Sequence, residues 1–144
     1  MKKLSVLLLS TIMALSLLTS CSSDEDLDGG TWEYSSYSFD LKSNMPELDF
    51  GIKEIMRRVV IAEFVDNSLE FKDGKVYTNG KAIGTYNDKN IAFADERIEE
   101  VASYSVDGKK LKITIDVIDL VKDNFEMMGG LEIKKATIEL YYKK

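Results

Sequence analysis

A mainly β protein, built as an antiparallel meander with one or two helices inserted, is what this sequence predicts. Three observations carry that expectation. The pairs Asp73-Gly74, Asn79-Gly80 and Asp107-Gly108 are two-residue hairpin signals, set between short runs rich in β-branched and aromatic residues. Leu111, Ile113, Ile115 and Val117 alternate with Lys112, Thr114 and Asp116, as do Ala136, Ile138, Leu140 and Tyr142 with their neighbours, which marks strands with one buried face. One apolar stripe at helical spacing, from Ile52 to Phe64, precedes all of these. Sequential hairpins of this kind close into a barrel or, alternatively, pack as an antiparallel β-sandwich.

The elements follow in order. Aromatic residues at 32, 34, 37 and 39 make the first strand, and their broken alternation calls for a bulge or twist near Ser35-Ser36. Ile52, Ile55, Met56, Val59, Val60 and Phe64 form one helix face, with Lys53, Glu54, Arg57 and Arg58 mainly off it. Asn44 with Glu47 offers a capping box, with Pro46 in the first turn, and Asp49 is the rival N-cap. Strands are expected over 68–72, 75–78, 81–86, 91–94, 101–106 and 109–117. Ile118, Val121, Phe125 and Met128 space like a second helix stopped by Gly129-Gly130. A last strand runs to Tyr142, with Leu131 and Ile133 extending it or forming a short strand of their own. That makes about eight short strands, a number suited to a small barrel.

Composition bounds the function. The chain has 144 residues, 44% hydrophobic and 31% charged, enough for one core without disulfides, and Cys21 is its one cysteine. It carries 19 basic and 25 acidic side chains, and an acidic surface repels phosphate backbones, so nucleic acid is not an expected partner. The chain has no histidine. That removes Ser-His and Cys-His nucleophile pairs and imidazole metal ligands, and no enzyme activity, metal or cofactor is expected.

Lys2 and Lys3 followed by the apolar run 4–18 read as a secretory signal, too short for a confident membrane span. The stretch Leu18-Thr19-Ser20-Cys21 resembles the lipobox of bacterial lipoproteins. That resemblance implies cleavage after residue 20, diacylglycerol on the Cys21 sulfur and acylation of the new amine, and two or three acyl chains anchor lastingly. Residues 1–20 are then a signal peptide, 21–29 a flexible acidic tether reaching at most ~30 Å, and 30–144 the folded domain. Losing Lys2 and Lys3 leaves 17 basic against 25 acidic side chains in the mature part, a net charge of about −8. Ser22 at +2 argues against inner-membrane retention, and Asp24-Glu25-Asp26 resembles the acidic export signal of some surface lipoproteins. The expected place is the outer membrane, on its periplasmic or cell-surface face.

Gly30-Thr31-Trp32 heading the first strand resembles the opening motif of lipocalins and related calycins. The order of parts, continuing through the strand–Asp73-Gly74–strand hairpin to Gly84-Thr85-Tyr86, is similar to lipocalin-like lipoproteins of Gram-negative bacteria. The resemblance implies a lipocalin-like antiparallel β-barrel, and a binding module for a small apolar or amphipathic ligand. The alternative is an envelope lipoprotein that acts on a protein partner and has no cavity. The early helix and short strands depart from true lipocalins. So does the lack of a late arginine to pack over Trp32, since the chain ends in Lys143 and Lys144.

Other chemistry finds little purchase. Asp95, Glu96, Glu99 and Glu100 supply carboxylates, but hydrolysis needs two facing each other across a bound sugar. Their spacing matches no calcium loop either. Tyr34, Tyr37, Tyr86, Tyr104, Tyr141 and Tyr142 could line a sugar- or lipid-binding surface, or simply reflect the strand preference of aromatics.

Overall fold

The computed structural model describes residues 27–65, 67–94, 101–125, 127 and 129–144. Eight strands follow one another round a closed antiparallel barrel: β1 (Thr31–Ser43), β2 (Leu69–Lys72), β3 (Lys75–Thr78), β4 (Lys81–Tyr86), β5 (Asn90–Phe93), β6 (Val101–Asp107), β7 (Lys110–Asp116) and β8 (Ile133–Lys143). The meander closes as a barrel and not as the sandwich. Two helices are inserted, α1 (Pro46–Val59), which tightens into a 3-10 turn at Ile61–Glu63, and α2 (Ile118–Phe125).

Turn chemistry sets the hairpins. Asp73 and Gly74 take φ of 51° and 74°, and Asn79 and Gly80 take 49° and 76°. Positive φ at both central residues is the type I′ pattern, whose twist matches that of the flanking strands. These turns bring Lys72 opposite Lys75 and Thr78 opposite Lys81. Because the strands alternate in direction, the connections fall at two ends of the barrel. The start of β1, the end of β8 and the β2–β3, β4–β5 and β6–β7 turns share one end. Both helices and the Asn79-Gly80 turn share the other.

β1 is the longest strand and makes the closure. Glu33 to Ser43 pair with Lys143 to Ile133 of β8, whereas only Thr31 and Trp32 pair with β2. The register shifts between Tyr34 and Ser36, so Ser35 is the bulge expected from the broken alternation. Inward positions are even before it, as at Trp32, and odd after it, as at Leu41 and Ser43. The core then gathers Trp32, Leu69, Phe71, Val76, Ile91, Ile113, Ile115, Ile138 and Leu140 in one cluster with Ile52, Met56, Ile61 and Phe64 from the α1 side.

The helix departs from expectation at both its cap and its face. Its N-cap is Met45, with Pro46 in the first turn and no side-chain cap. Asn44 does not cap it. Its amide donates to the Gly130 carbonyl at 2.8 Å and accepts from the Glu132 amide at 2.8 Å, tying the end of β1 to the approach to β8. Asp49 lies inside the helix and accepts from the Ser43 hydroxyl at 2.5 Å. Ile52 and Met56 are buried, but Ile55 is 50% and Val59 42% exposed. α1 packs against β1 along a stripe narrower than its apolar face. Tightening to three residues per turn after Val59 rephases the chain, so Ile61 and Phe64, three apart, both point inward.

Gly84 answers a close approach. The β3–β4 register shifts beside it, and a Cβ there would lie 2.4 Å from the Ala92 carbonyl oxygen and 3.1 Å from the Phe93 Cα. Both obstacles are backbone. Gly84→Ala is therefore expected to lower stability by about 1–3 kcal/mol through forced strand displacement, whereas Gly129→Ala, with nothing within 4 Å, is expected to be near neutral. Urea midpoints of the two variants check this.

Candidate functional site

Cys21, the expected lipid-attachment residue, lies outside the described residues, as do the carboxylates Asp95, Glu96, Glu99 and Glu100. Among the described residues no group of three His, Cys, Asp or Glu side chains could hold a metal ion, and no helix is long and apolar enough to cross a membrane. Three places of the described fold bear on function: the barrel end that receives Leu27 and Asp28, the interior, and the outer wall around the Ser35 bulge.

At the first of these, the fold begins earlier than the expected boundary at residue 30. Leu27 is 4% exposed, and its carbonyl accepts from the Trp32 indole N–H at 3.3 Å. Asp28 bridges to Phe71 in parallel fashion and accepts a short hydrogen bond from the Tyr86 hydroxyl. Leu27 and Asp28 thus belong to the barrel and not to a free tether. Lys144 Nζ sits 4.8 Å from the Trp32 ring centroid, so a lysine covers the indole in place of the arginine that the sequence lacks there.

The interior is apolar, filled most completely where β1, β2, β3, β7 and β8 meet, while Ile83, Tyr86, Phe93, Tyr104 and Val106 from β4 to β6 are partly buried. Trp32, Leu69, Val76, Ile91, Ile113, Ile115, Ile138 and Leu140 each have 0% accessible surface, so none of these side chains borders a water-sized void. One polar atom breaks the pattern. The Tyr142 hydroxyl is buried without a hydrogen-bond partner among the described residues, while its ring meets Tyr34 edge-on at 5.9 Å. Burial pushes this phenol well above the ordinary tyrosine range.

The other tyrosines do not form one platform. Tyr86 packs edge-on to Phe71 at 5.2 Å, and the Tyr104 hydroxyl donates to the Asn87 carbonyl at 2.6 Å. Tyr34 and Tyr37 are half-buried along β1. Tyr141 stands on the outer wall, where its hydroxyl donates to Glu139 at 2.6 Å. Tyr141, ahead of Lys112 and Ser38, holds the Glu139 carboxyl below its usual range, and Glu139 in turn raises the Tyr141 phenol.

Around Tyr141 the outer wall sinks into an open depression of about 380 Å3, bordered by Ser35, Ser36, Ser105, Lys110, Lys112 and Lys143. Strand register builds it. Ser105, Lys112, Tyr141 and Ser36 lie in one row across β6, β7, β8 and β1, and Asp107, Lys110, Lys143 and Glu33 in the next. The register shift at Ser35 falls at the β1 side of these rows, and Ser35 and Ser36 both border the depression. Lys112 is 3.6 Å from Glu139, whereas Lys110 and Lys143, both exposed and directly opposite each other, form no ion pair among the described residues. Alternation in β7 and β8 marked these residues as outward-facing in the sequence, but nothing local to either strand set them side by side.

Two outcomes follow from the phenols. Burial first, and then the bond to Asp28, push Tyr86 up to about 12 from 10.0. The folded chain keeps that proton where the unfolded chain releases it, so the stability involved is fully present below pH 10 and declines as pH rises toward about 12. Tyr86→Phe should lower the urea midpoint at neutral pH and flatten the alkaline fall between about 10 and 12. Tyr142→Phe keeps the ring and removes a buried hydroxyl that has no partner, and should leave stability unchanged or raise it by about 1 kcal/mol in thermal melts. Compared with protein-family models, curated proteins and solved structures, the chain matches none.

Proposed function

We propose that this chain is a lipoprotein of the outer membrane, acylated on Cys21 and lipocalin-like in kind, whose barrel acts through its surface on an envelope partner. The packed interior carries this reading. A barrel that holds an apolar ligand needs an internal cavity of some hundreds of Å3 lined by apolar side chains. Here the inward side chains of β1, β2, β3, β5, β7 and β8 bury one another with no accessible surface at Trp32, Leu69, Val76, Ile91, Ile113 and Ile138. An eight-stranded barrel can equally fill itself with its own side chains. That favours the protein-interaction alternative over the module for a small apolar or amphipathic ligand.

Anchoring supplies the rest of the reading. Acyl chains on Cys21 would hold the end of the barrel where Leu27 docks toward the bilayer, and leave α1 and α2 at the far end for a partner in the envelope.

Expressed in a Gram-negative host, the full chain is expected in the membrane fraction and labelled by a palmitate analogue, and Cys21→Ser is expected unlabelled and released, with an unchanged melting temperature. Titration of the released variant with oleate and lysophosphatidylcholine is expected to shift neither Trp32 emission nor melting. A saturable shift in both would restore the ligand-carrier reading. Membrane association of Cys21→Ser equal to that of the parent chain would overturn the anchor.

A further inference from the structure

We infer that the outer-wall depression around the Ser35 bulge is a binding site for a phosphate-type oxyanion, with Lys110 and Lys143 as its principal cationic ligands. The inference does not rest on acylation of Cys21. It starts from an electrostatic cost. Lys110 and Lys143 are directly opposed across β7 and β8, and like charges so placed destabilise a sheet. Neither forms an ion pair among the described residues, although Asp107 and Glu33 occupy the two ends of the same row. An anion bridging both ammonium groups would remove the repulsion and gain charge-assisted hydrogen bonds.

Comparison with the chain's other opposed lysines separates a site from a mere coincidence of charge. Lys42 faces Lys135, but Lys135 is neutralised by Asp40 at 2.5 Å. Lys72 faces Lys75 across the tight Asp73-Gly74 turn. Only at Lys110 and Lys143 does the pair border the concavity already described, with a third lysine, Lys112, in the adjoining row.

The rest of the lining fits the same class of ligand. Three lysines and one carboxylate, Asp107, line the depression, with Glu139 beside Lys112 and Glu33 opposite Lys143, so Lys110 and Lys143 are the cations left to meet an anion there. Ser35, Ser36 and Ser105 offer hydroxyl donors to the remaining oxygens. The Tyr141 ring, pinned by its bond to Glu139, gives a flat apolar wall for the organic part of a phosphate ester. About 380 Å3 admits a phosphorylated headgroup or small phosphate ester and not a polymer wrapped by its whole length.

The test uses the full chain with inorganic phosphate, glycerol 3-phosphate, and vesicles of phosphatidylcholine with or without phosphatidic acid. Chloride at equal ionic strength is the reference. Phosphate or glycerol 3-phosphate should raise the melting temperature saturably, as ligand linkage requires. Lys110→Gln with Lys143→Gln should weaken that binding by at least about tenfold, the loss expected for two charge-assisted contacts. The same double variant should melt no lower than the parent chain in chloride, which shows that it folds. Lys72→Gln with Lys75→Gln should bind as the parent does. Binding of the soluble phosphates alone identifies a free phosphate ester as the source, and added retention on phosphatidic acid vesicles that depends on Lys110 and Lys143 identifies a lipid headgroup. Equal responses to phosphate and chloride, with no lysine-dependent vesicle retention, would overturn the inference. Equal losses in the two double variants would overturn it as well, since a diffuse cationic surface then accounts for the binding.

Discussion

Closure of β1 on β8 is the constraint on which this barrel depends. An eight-stranded meander left open would expose two edges, each a row of unpaired backbone groups ready to add a foreign strand. β1 removes both edges by pairing with β8 along nearly its whole length and with β2 at its first two residues. That double duty has a geometric difficulty. A strand long enough to span the barrel must twist, and a strictly alternating strand cannot stay in register while bending round the wall. The Ser35 bulge resolves it by adding one residue, which reverses the inward parity. Trp32 and Leu41 differ by an odd number of positions and yet both point into the core. Without the bulge one of them would face water.

Trp32 is where the closure is locked. It is the residue of β1 that pairs with Leu69 of β2, it carries no accessible surface, and the segment before β1 and the end of β8 both meet it. Leu27 accepts its indole hydrogen bond from one side, and Lys144 lies on its ring from the other. The backbone amide of Lys144 also donates to the Lys109 carbonyl at 2.9 Å, which fixes the end of β8 to the β6–β7 turn. A cation–π contact of this kind is worth about 0.5–2 kcal/mol according to its exposure. Its structural value here is to seal the end of the barrel with a side chain that remains hydrated at its tip.

What could be read from the sequence was local in origin. Asp73-Gly74 and Asn79-Gly80 announce their hairpins because few residue types tolerate positive φ at both turn positions. The Ser35 bulge shows as a fault in alternation, and the β7 and β8 patterns reveal their buried faces directly. What failed was non-local. Asn44 has the right identity and spacing for a capping box with Glu47, but Gly130 and Glu132, far along the chain, take its amide instead. Ile55 and Val59 lie on the apolar arc of α1 and remain half-exposed, because how wide a stripe is buried depends on the wall it meets. Lys144 takes the place over Trp32 that an arginine holds in lipocalin-type barrels, because the ring needs only a cation above it. The outer-wall depression could not be read at all. It exists through a register that joins residues 35, 110 and 143, and that register follows from closure.

The same closure orients any anchor. Strand alternation places the docked Leu27 at the end opposite both helices, and Leu27 lies only six residues beyond Cys21. A fully extended linker of that length spans at most about 20 Å, shorter than the ~30 Å reach of a tether running to residue 29. Under the proposed acylation, the end that carries Trp32 and Lys144 therefore stays near the headgroups. Lys110 and Lys143 are the last or next-to-last paired positions toward that same end, since Lys143 pairs with Glu33 and Lys110 with Asp107 beside the turn. The oxyanion site and the anchor would thus work on one surface, with the acyl chains supplying residence and the lysines supplying orientation. α1 and α2, held away from the bilayer by the full height of the barrel, would be the parts free to meet whatever approaches from outside.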